Sequence, residues 1–325
     1  MQRTPAVSVA LATYNGARYI EAQLRSICSQ TILPAEIILS DDGSRDDTIA
    51  LAIATVSDSV PLRILRHDRK LGVRGNFSAA IEAATHPIVI LADQDDYWYP
   101  TRVETAVQAF IAQPEVDLLF GDADLIDGQD GSLDTTLFET LPVTESERQQ
   151  IHEGHAFGPF LRRNLATGMT VAFRRSLWTR AAPIPSDWLH DEWLAIIAAA
   201  ENRIGIIEKP LMAYRIHDQN AIGVRRPTVW VKTKRVLSPR GERNVVLERR
   251  TAELVNYLEA RPALFAAPVR EAARGKLRVE AFRAALPRRR WARIIPVLGE
   301  LPRGDYARYT SQGRVEILRD LFQPS

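Results

Sequence analysis

Pro87-Ile88-Val89-Ile90-Leu91-Ala92-Asp93-Gln94-Asp95-Asp96 decides the fold. The apolar run is short, β-branched and opened by a proline, which reads as a buried strand. It ends abruptly in three acids. Carboxylates crowded at a strand end repel one another and resist desolvation, and a bound cation would turn that repulsion into ligation by hard oxygen donors. The competing reading is a polar turn with a helix cap, where Asp is also common.

Working outward, the pattern repeats. Val7–Thr13, Glu36–Ser40, Leu62–Leu65, Ile88–Leu91 and 116–120 read as strands. Between them, 18–29, 46–56, 75–84 and 102–112 carry apolar residues at helical spacing. Alternation at this spacing predicts an α/β fold with a mostly parallel sheet and helices on both faces. Farther on the pattern loosens: 168–173 reads as a further strand, 190–201 as a strong helix, and 204–207 and 211–214 as short strands around Pro210. There is no internal repeat.

In such sheets ligands bind beyond the carboxyl ends of the strands. Those ends are polar here: Thr13-Tyr14-Asn15-Gly16 after the first, Asp41-Asp42-Gly43 after the second, the acidic knot after the fourth, Asp122-Ala123-Asp124 after the fifth. Thr13 to Arg18 holds one glycine and no G-x-G-x-x-G, which argues against a dinucleotide or P-loop site. The pattern suggests instead a nucleoside diphosphate held through a divalent metal, which would stabilise charge on a leaving group. Asp42 could accept hydrogen bonds from a base or ribose, or serve as an Asp-Gly turn residue. Tyr14 could stack on a base or simply pack. Arg74 could pair with phosphate or remain a solvated charge. His190-Asp191-Glu192 lies between Trp188 and Trp193, a semi-apolar setting that raises carboxylate pKa values toward the range of a general base. The helix dipole also favours acids in a first turn.

Composition sets the outer limits. The chain has 325 residues, of which 46% are hydrophobic and 25% charged, as in ordinary globular proteins. No apolar run approaches the about 20 residues of a spanning helix, and the first residues show no signal-peptide pattern. The single Cys28 fits a reducing, cytoplasmic setting and reads as a packing residue. The net charge of +2 hides an asymmetry: residues 1–225 hold 20 Lys and Arg against 30 Asp and Glu, whereas residues 226–325 hold 22 against 10. The boundary is therefore placed near 225, with a helical, basic region after it. In that region Arg288, Arg289, Arg290 and Arg293 surround Trp291, followed by Ile294, Ile295, Val297 and Leu298. Such a stretch suits the inner face of an anionic membrane, or a helical layer packed on the main body or on another subunit. Nucleic-acid binding is disfavoured by the acidic body.

Taken in order, Val7-Ser-Val-Ala-Leu-Ala-Thr-Tyr-Asn-Gly16, Ser29-Gln-Thr31, Leu39-Ser-Asp-Asp-Gly-Ser-Arg-Asp-Asp-Thr48, Ala92-Asp-Gln-Asp-Asp-Tyr-Trp-Tyr-Pro100, Thr167-Gly-Met-Thr170, His190-Asp-Glu-Trp193 and Tyr214-Arg-Ile-His217 resemble the inverting family 2 glycosyltransferases of the GT-A fold, and bacterial rhamnosyltransferase-like members most closely. The resemblance spans about residues 6–222. It implies a donor half at about 1–125 and an acceptor half at about 126–225. It also implies Mg2+ or Mn2+ on Asp95 and Asp93, with the late His217 completing the site, and Asp96 as a structural acid in the turn. Thr13, Tyr14 and Asn15 would line the nucleotide and Asp42 would meet its base, with Arg74 near phosphate. Asp191 would be the general base, with Glu192 as its understudy. Gly168, Thr170 and His190 would lie near the donor sugar and acceptor. The donor would be a nucleoside-diphosphate sugar such as dTDP-rhamnose or a UDP-sugar, and the acceptor a glycan or lipid-linked hydroxyl in surface polysaccharide synthesis. A processive synthase is disfavoured, because Pro287-Arg-Arg-Arg-Trp291 lacks the Gln of Gln-x-x-Arg-Trp. A sugar nucleotidyltransferase would show a glycine-rich basic loop after the first strand. A non-catalytic GT-A-like module would not need Asp93, Asp95, Asp191 and His217 together.

Overall fold

The computed structural model describes residues 4–56, 58, 60–217 and 241–324. Its strands are β1 (Val7–Thr13), β2 (Glu36–Asp41), β3 (Leu62–Arg66), β4 (Ile88–Asp93), β5 (Tyr97–Trp98), β6 (Leu118–Gly121), β7 (Asp124–Asp127), β8 (Ser132–Thr136), β9 (Ala172–Arg174), β10 (Ile204–Ile207) and β11 (Met212–Ile216). A seven-stranded sheet runs in the order β10-β6-β9-β4-β1-β2-β3, and β5-β11-β7-β8 form a smaller second sheet. All seven residues of β1 are buried, as expected of a central strand covered on both faces. β1 pairs in parallel with β2 on one side and β4 on the other. The strand order reverses at β1, which is where this architecture opens a crevice. The register aligns Thr13 with Asp41 and Ala12 with Asp93, so three polar strand ends share one edge.

The structure departs from the sequence expectation at two places. The segment read as a strand over 168–173 splits into a 3-10 turn at Gly168–Thr170 and the short β9, which inserts antiparallel between β4 and β6. The helix expected at 75–84 begins earlier, at Gly72. Its cap is remote in sequence: the Asp42 carboxylate accepts the Leu71 and Gly72 amides at 2.6 and 3.1 Å. Gly72 takes φ +70°, a conformation open to glycine.

The boundary expected near residue 225 lies outside the described residues. Beyond it the chain is helical, and its helices join the catalytic body. Leu254 and Leu258 of the Arg243–Glu259 helix, Phe265, and Ala273 of the Ala267–Ala284 helix belong to the main hydrophobic core. Tyr257 donates to the Arg180 carbonyl and sits edge-on to Trp193. A second, smaller core forms around Leu286, Val297 and Tyr306. Above it, Arg283 is buried among Glu280, Glu316 and Asp320 at 3.1, 2.5 and 2.8 Å. These partners raise the guanidinium pKa despite burial, and Glu316 is held down at about 2 although burial alone would raise it. Replacing Arg283 with Met would take the shared cation from three buried acids: Glu316 would keep Arg243 and Arg319, Glu280 would keep Lys276, and Asp320 would be left on the Tyr306 hydroxyl. Urea denaturation of Arg283→Met should show a loss of about 3–5 kcal/mol.

Candidate active site

The crevice at the β1–β4 edge is a cleft of about 390 Å³, within the range of small-molecule sites. Thr13, Tyr14, Asp42, Asp93, Asp95, Gly168, His190 and Asp191 all line it, so eight of the residues singled out in sequence meet there.

The strand ends are tied together first. Thr13 Oγ1 donates to Asp41 Oδ2 at 2.8 Å, and Ser44 N donates to Asp41 Oδ1. Gln94 clamps the loop after β1: Tyr14 N donates to its Oε1 at 2.8 Å and its Nε2 donates to the Tyr14 carbonyl. Gly16 leaves room for this clamp, because a Cβ there would push the Gln94 carboxamide out of place. Asn15 turns the chain at φ +48°, accepts the Arg45 amide on Oδ1, and faces an adjoining hollow with Arg45 and His67. Tyr14, Asp42 and Lys70 border both spaces. Lys70 donates to Tyr14 Oη at 2.6 Å and lies over its ring, which lowers the phenol pKa.

The acidic knot divides by partner. Asp96 is a structural acid: it is buried and accepts the Arg215 amide at 3.1 Å. Arg215 Nε donates to the Asp95 carbonyl at 2.7 Å, and its Nη2 pairs with Asp130 at 2.6 Å. His217 Nε2 meets Asp95 Oδ2 at 2.9 Å, with its ring stacked on Tyr19. Burial, then the Asp95, Asp96 and Asp191 carboxylates, push Asp93 well above the usual carboxylate range. That is the electrostatic condition a cation would relieve. Two carboxylates and one imidazole suit Mg2+ or Mn2+ as donors, and they fill only part of a six-ligand shell. Among the described residues no three His, Cys, Asp or Glu side chains form a ready-made cation cluster. Asp95 meets His217 and lines the cleft with Asp93, so an ion there would need most of its oxygens from a ligand.

Across the Gly168–Thr170 turn, Asp191 opens the His190–Ala200 helix. Its Cβ and Cγ lie 3.4 Å from where a Cβ on Gly168 would be, an ordinary van der Waals distance that sets the turn directly beside the acid. Burial raises the Asp191 carboxyl to about 6, opposed by backbone amides and by Asn164 at 3.4 Å. His190 stacks on Phe77 at 4.0 Å, and burial pushes its imidazole down to about 3, so the ring is neutral. Neither His190 nitrogen, nor Asn76 Oδ1 in the same wall, has a hydrogen-bond partner among the described residues. Glu192 is paired with Arg250 of the C-terminal region at 2.5 Å.

Two expected residues lie elsewhere. Arg74 lines neither hollow, and its Nη1 donates to the Ile184 carbonyl at 3.2 Å. The Thr170 hydroxyl is satisfied by the Thr167 carbonyl, and Thr170 borders a small hollow behind the cleft with Arg102 and Asp122. Met169 and Tyr214, from two of the quoted motifs, also line the cleft, as do Lys70, Asn76 and Phe77, which the sequence reading does not single out. For Asn76 and Phe77 a signal existed, since they sit on the inward stripe of the helix beside β1.

A parallel-sheet cleft with a carboxylate pair at the central strand ends and a buried acid facing the same space defines a GT-A glycosyltransferase. The glycosyl transferase family 2 profile matches residues 8–177, just over half of the chain, and the chain belongs to that family. It is 29% identical over 221 residues to an uncharacterised glycosyltransferase of Nostoc sp., covering 66% of each chain. It is 27% identical over 220 residues to the dTDP-rhamnosyl transferase RfbG of Shigella flexneri, covering 66% of this chain and 73% of that one. The mannosyltransferase PcManGT of Pyrobaculum calidifontis, solved with GDP-Man and Mn2+, shares the fold with a TM-score of 0.53 at 20% identity, over 98% of this chain and 86% of that one. TarS of S. aureus does so with a TM-score of 0.53 at 18% identity, over 96% of this chain and 50% of that one. Family membership disposes of the nucleotidyltransferase and binding-module alternatives.

The raised Asp191 pKa has a stability consequence of fixed sign. The folded state binds a proton there that the unfolded chain has released, so this group's contribution is lost as pH rises through about 6. At pH 8, Asp191→Asn should stabilise the metal-free protein by about 2–3 kcal/mol in urea denaturation, and by little at pH 4.

Proposed function

We propose that the chain moves a sugar, with inversion, from a nucleoside-diphosphate sugar to a hydroxyl of a glycan or lipid-linked acceptor in bacterial surface polysaccharide synthesis. The observation that carries this reading is Asp191: a buried carboxylate, poised at about 6, facing the cleft that Asp93 and Asp95 also line. Rhamnose from dTDP-rhamnose is the favoured donor sugar, because the RfbG relative is named for that donor. A UDP-sugar is the second candidate. The site of action is the inner face of the cytoplasmic membrane; no helix among the described residues is long and apolar enough to cross one.

In this reading the nucleoside lies along Thr13, Tyr14, Asn15 and Asp42, in reach of Lys70. Asp93, Asp95 and His217 would hold Mg2+ or Mn2+, whose charge would neutralise the departing diphosphate. Asp191 Oδ removes the proton of the acceptor hydroxyl. The freed oxygen attacks the anomeric carbon from the face opposite the diphosphate, so a single displacement inverts that centre. Glu192 is bound to Arg250, which leaves Asp191 to act alone. Phe77 and Met169 give the cleft an apolar wall for the sugar face.

Transfer measured with a panel of nucleotide sugars should require a divalent ion and fall to background in EDTA. Asp191→Asn should lower kcat by at least about 10²-fold, the scale of a lost general base, while nucleoside-diphosphate affinity changes little. Loss of both together would refute the base assignment. For the wild type, kcat/KM should fall about tenfold per unit below pH 6 as Asp191 takes up its proton.

A further inference from the structure

The last helix divides its apolar residues: Ile317 and Leu321 pack on the smaller core, and the others face solvent. Val315–Phe322 buries Glu316, Arg319 and Asp320, and exposes Val315, Leu318 and Phe322. Its charges are bound: Arg283 meets Glu316 and Asp320, and Arg319 meets Glu316 at 2.9 Å. Rolling Val315, Leu318 and Phe322 inward would strip those charges of partners, which buried ions resist strongly. These three side chains are held outward.

The neighbouring turn is fixed in the same way. Arg293 is fully buried and donates to the carbonyls of Pro287, Arg288, Asp320 and Gln323. Val297 packs inward with Leu286 and Tyr306. The residues between are thereby presented to solvent: Trp291 is 69% exposed and Ile295 84%, with Ile294 and Leu298 also exposed. The Ile294–Glu300 helix packs against Val315–Phe322. Six large apolar side chains therefore stand out from one small corner of the molecule, and Arg288, Arg289 and Arg290 are exposed beside them.

Scattered exposed apolar residues need no explanation, but a cluster held outward by buried charge does. The chemistry of this one is specific. Trp favours the headgroup level of a bilayer, Ile and Leu its acyl boundary, and a row of guanidinium groups its anionic phosphates. The surrounding region, residues 226–325, holds 22 Lys and Arg against 10 Asp and Glu, complementary to a negative surface.

We propose that Trp291, Ile294, Ile295 and Leu298, with Leu318 and Phe322, form a docking surface that seats in the interface of an anionic phospholipid bilayer, with Arg288–Arg290 on the lipid phosphates. The surface goes beyond the transfer reaction and does not depend on the identity of donor or acceptor. It would hold the cleft near a lipid-linked acceptor without a spanning helix.

The test is flotation of the full chain with vesicles of phosphatidylglycerol and phosphatidylcholine, against vesicles of phosphatidylcholine alone. The protein should float with the first and not the second. Raising salt from 0.1 to 1 M should release part of it, since the screening length falls from about 10 to about 3 Å. Trp291→Ser with Ile295→Asp should weaken partitioning at least about tenfold, the loss of roughly one buried apolar side chain or more. Tm and turnover on a water-soluble acceptor should stay unchanged. Arg289→Glu with Arg290→Glu, a second pair of exposed changes, should release the protein equally. Absence of flotation with the anionic vesicles, or flotation unaffected by either double variant, overturns the proposal. So does sedimentation showing that Ile295→Asp turns a dimer into a monomer with no vesicle binding in the wild type; the face would then join two copies of the chain. Turnover that fails while flotation behaves as expected refutes the catalytic reading and leaves the surface standing.

Discussion

Three carboxylates cannot share the mouth of one buried strand unless each is given something to do. At the end of β4 the structure divides the work. Asp96 is tied to the backbone of Arg215, and Asp95 meets His217. Asp93 stays in the cleft with its carboxyl pushed upward by burial and by its neighbours. The consequence reaches beyond the knot. Arg215 and His217 stand on or just after β11, so the second sheet is fastened to the first at the point where the chemistry occurs. Arg215 spans the junction, reaching Asp95, Asp127 and Asp130 together. Removing the acids would free the cleft of repulsion and unfasten the sheets at once.

Much of this was legible in the sequence because it is local. Strands β1, β2 and β4 are apolar runs bounded by turn residues, and their polar ends fall at one edge once parallel pairing is assumed. That was enough to gather Thr13, Asp42, Asp93 and Asp95 into one space, whereas Asp191, on a distant helix, was brought there only by the family resemblance. What escaped was nonlocal. The helix after β3 starts early because Asp42 caps it from thirty residues away. β9 inverts because a three-residue strand carries no periodicity, and its direction is set by β4 and β6 on either side. Arg74 opens a helix beside the cleft, as its position implied, but its side chain is spent on the Ile184 carbonyl. Spacing places a residue on an element; it does not aim the side chain.

The basic C-terminal region shows the same limit in reverse. As sequence it offered two readings, a packed layer or a membrane face. The structure gives it both an inside and an outside. Leu254, Leu258 and Phe265 continue the main core, and buried ion pairs hold the last helix so that Val315, Leu318 and Phe322 face out while Ile317 and Leu321 pack on the smaller core. No hydrophobicity pattern could reveal that arrangement. It inverts the usual rule, and depends on Arg283 arriving from a helix more than thirty residues earlier to neutralise Glu316 and Asp320.

That region also bears on the choice between the two adjacent acids. Asp191 and Glu192 stand side by side at a helix start, where the dipole favours both charges equally. Environment separates them. Glu192 is reached by Arg250, whose guanidinium lies over Trp188 while Trp188 donates back to the Arg250 carbonyl. Burial pushes Glu192 up and Arg250 pulls it back. Burial raises Asp191 against backbone amides and Asn164, with no cation pulling it back, and it settles near 6. Burial raises both carboxyls, but only Glu192 is held in an ion pair, which suits it as the anchored acid and leaves Asp191 for the proposed role of proton acceptor. The anchor is supplied by the C-terminal helix. That helix therefore fixes the acid next to Asp191, at the edge of a cleft whose lining residues all come from the first 214 positions of the chain.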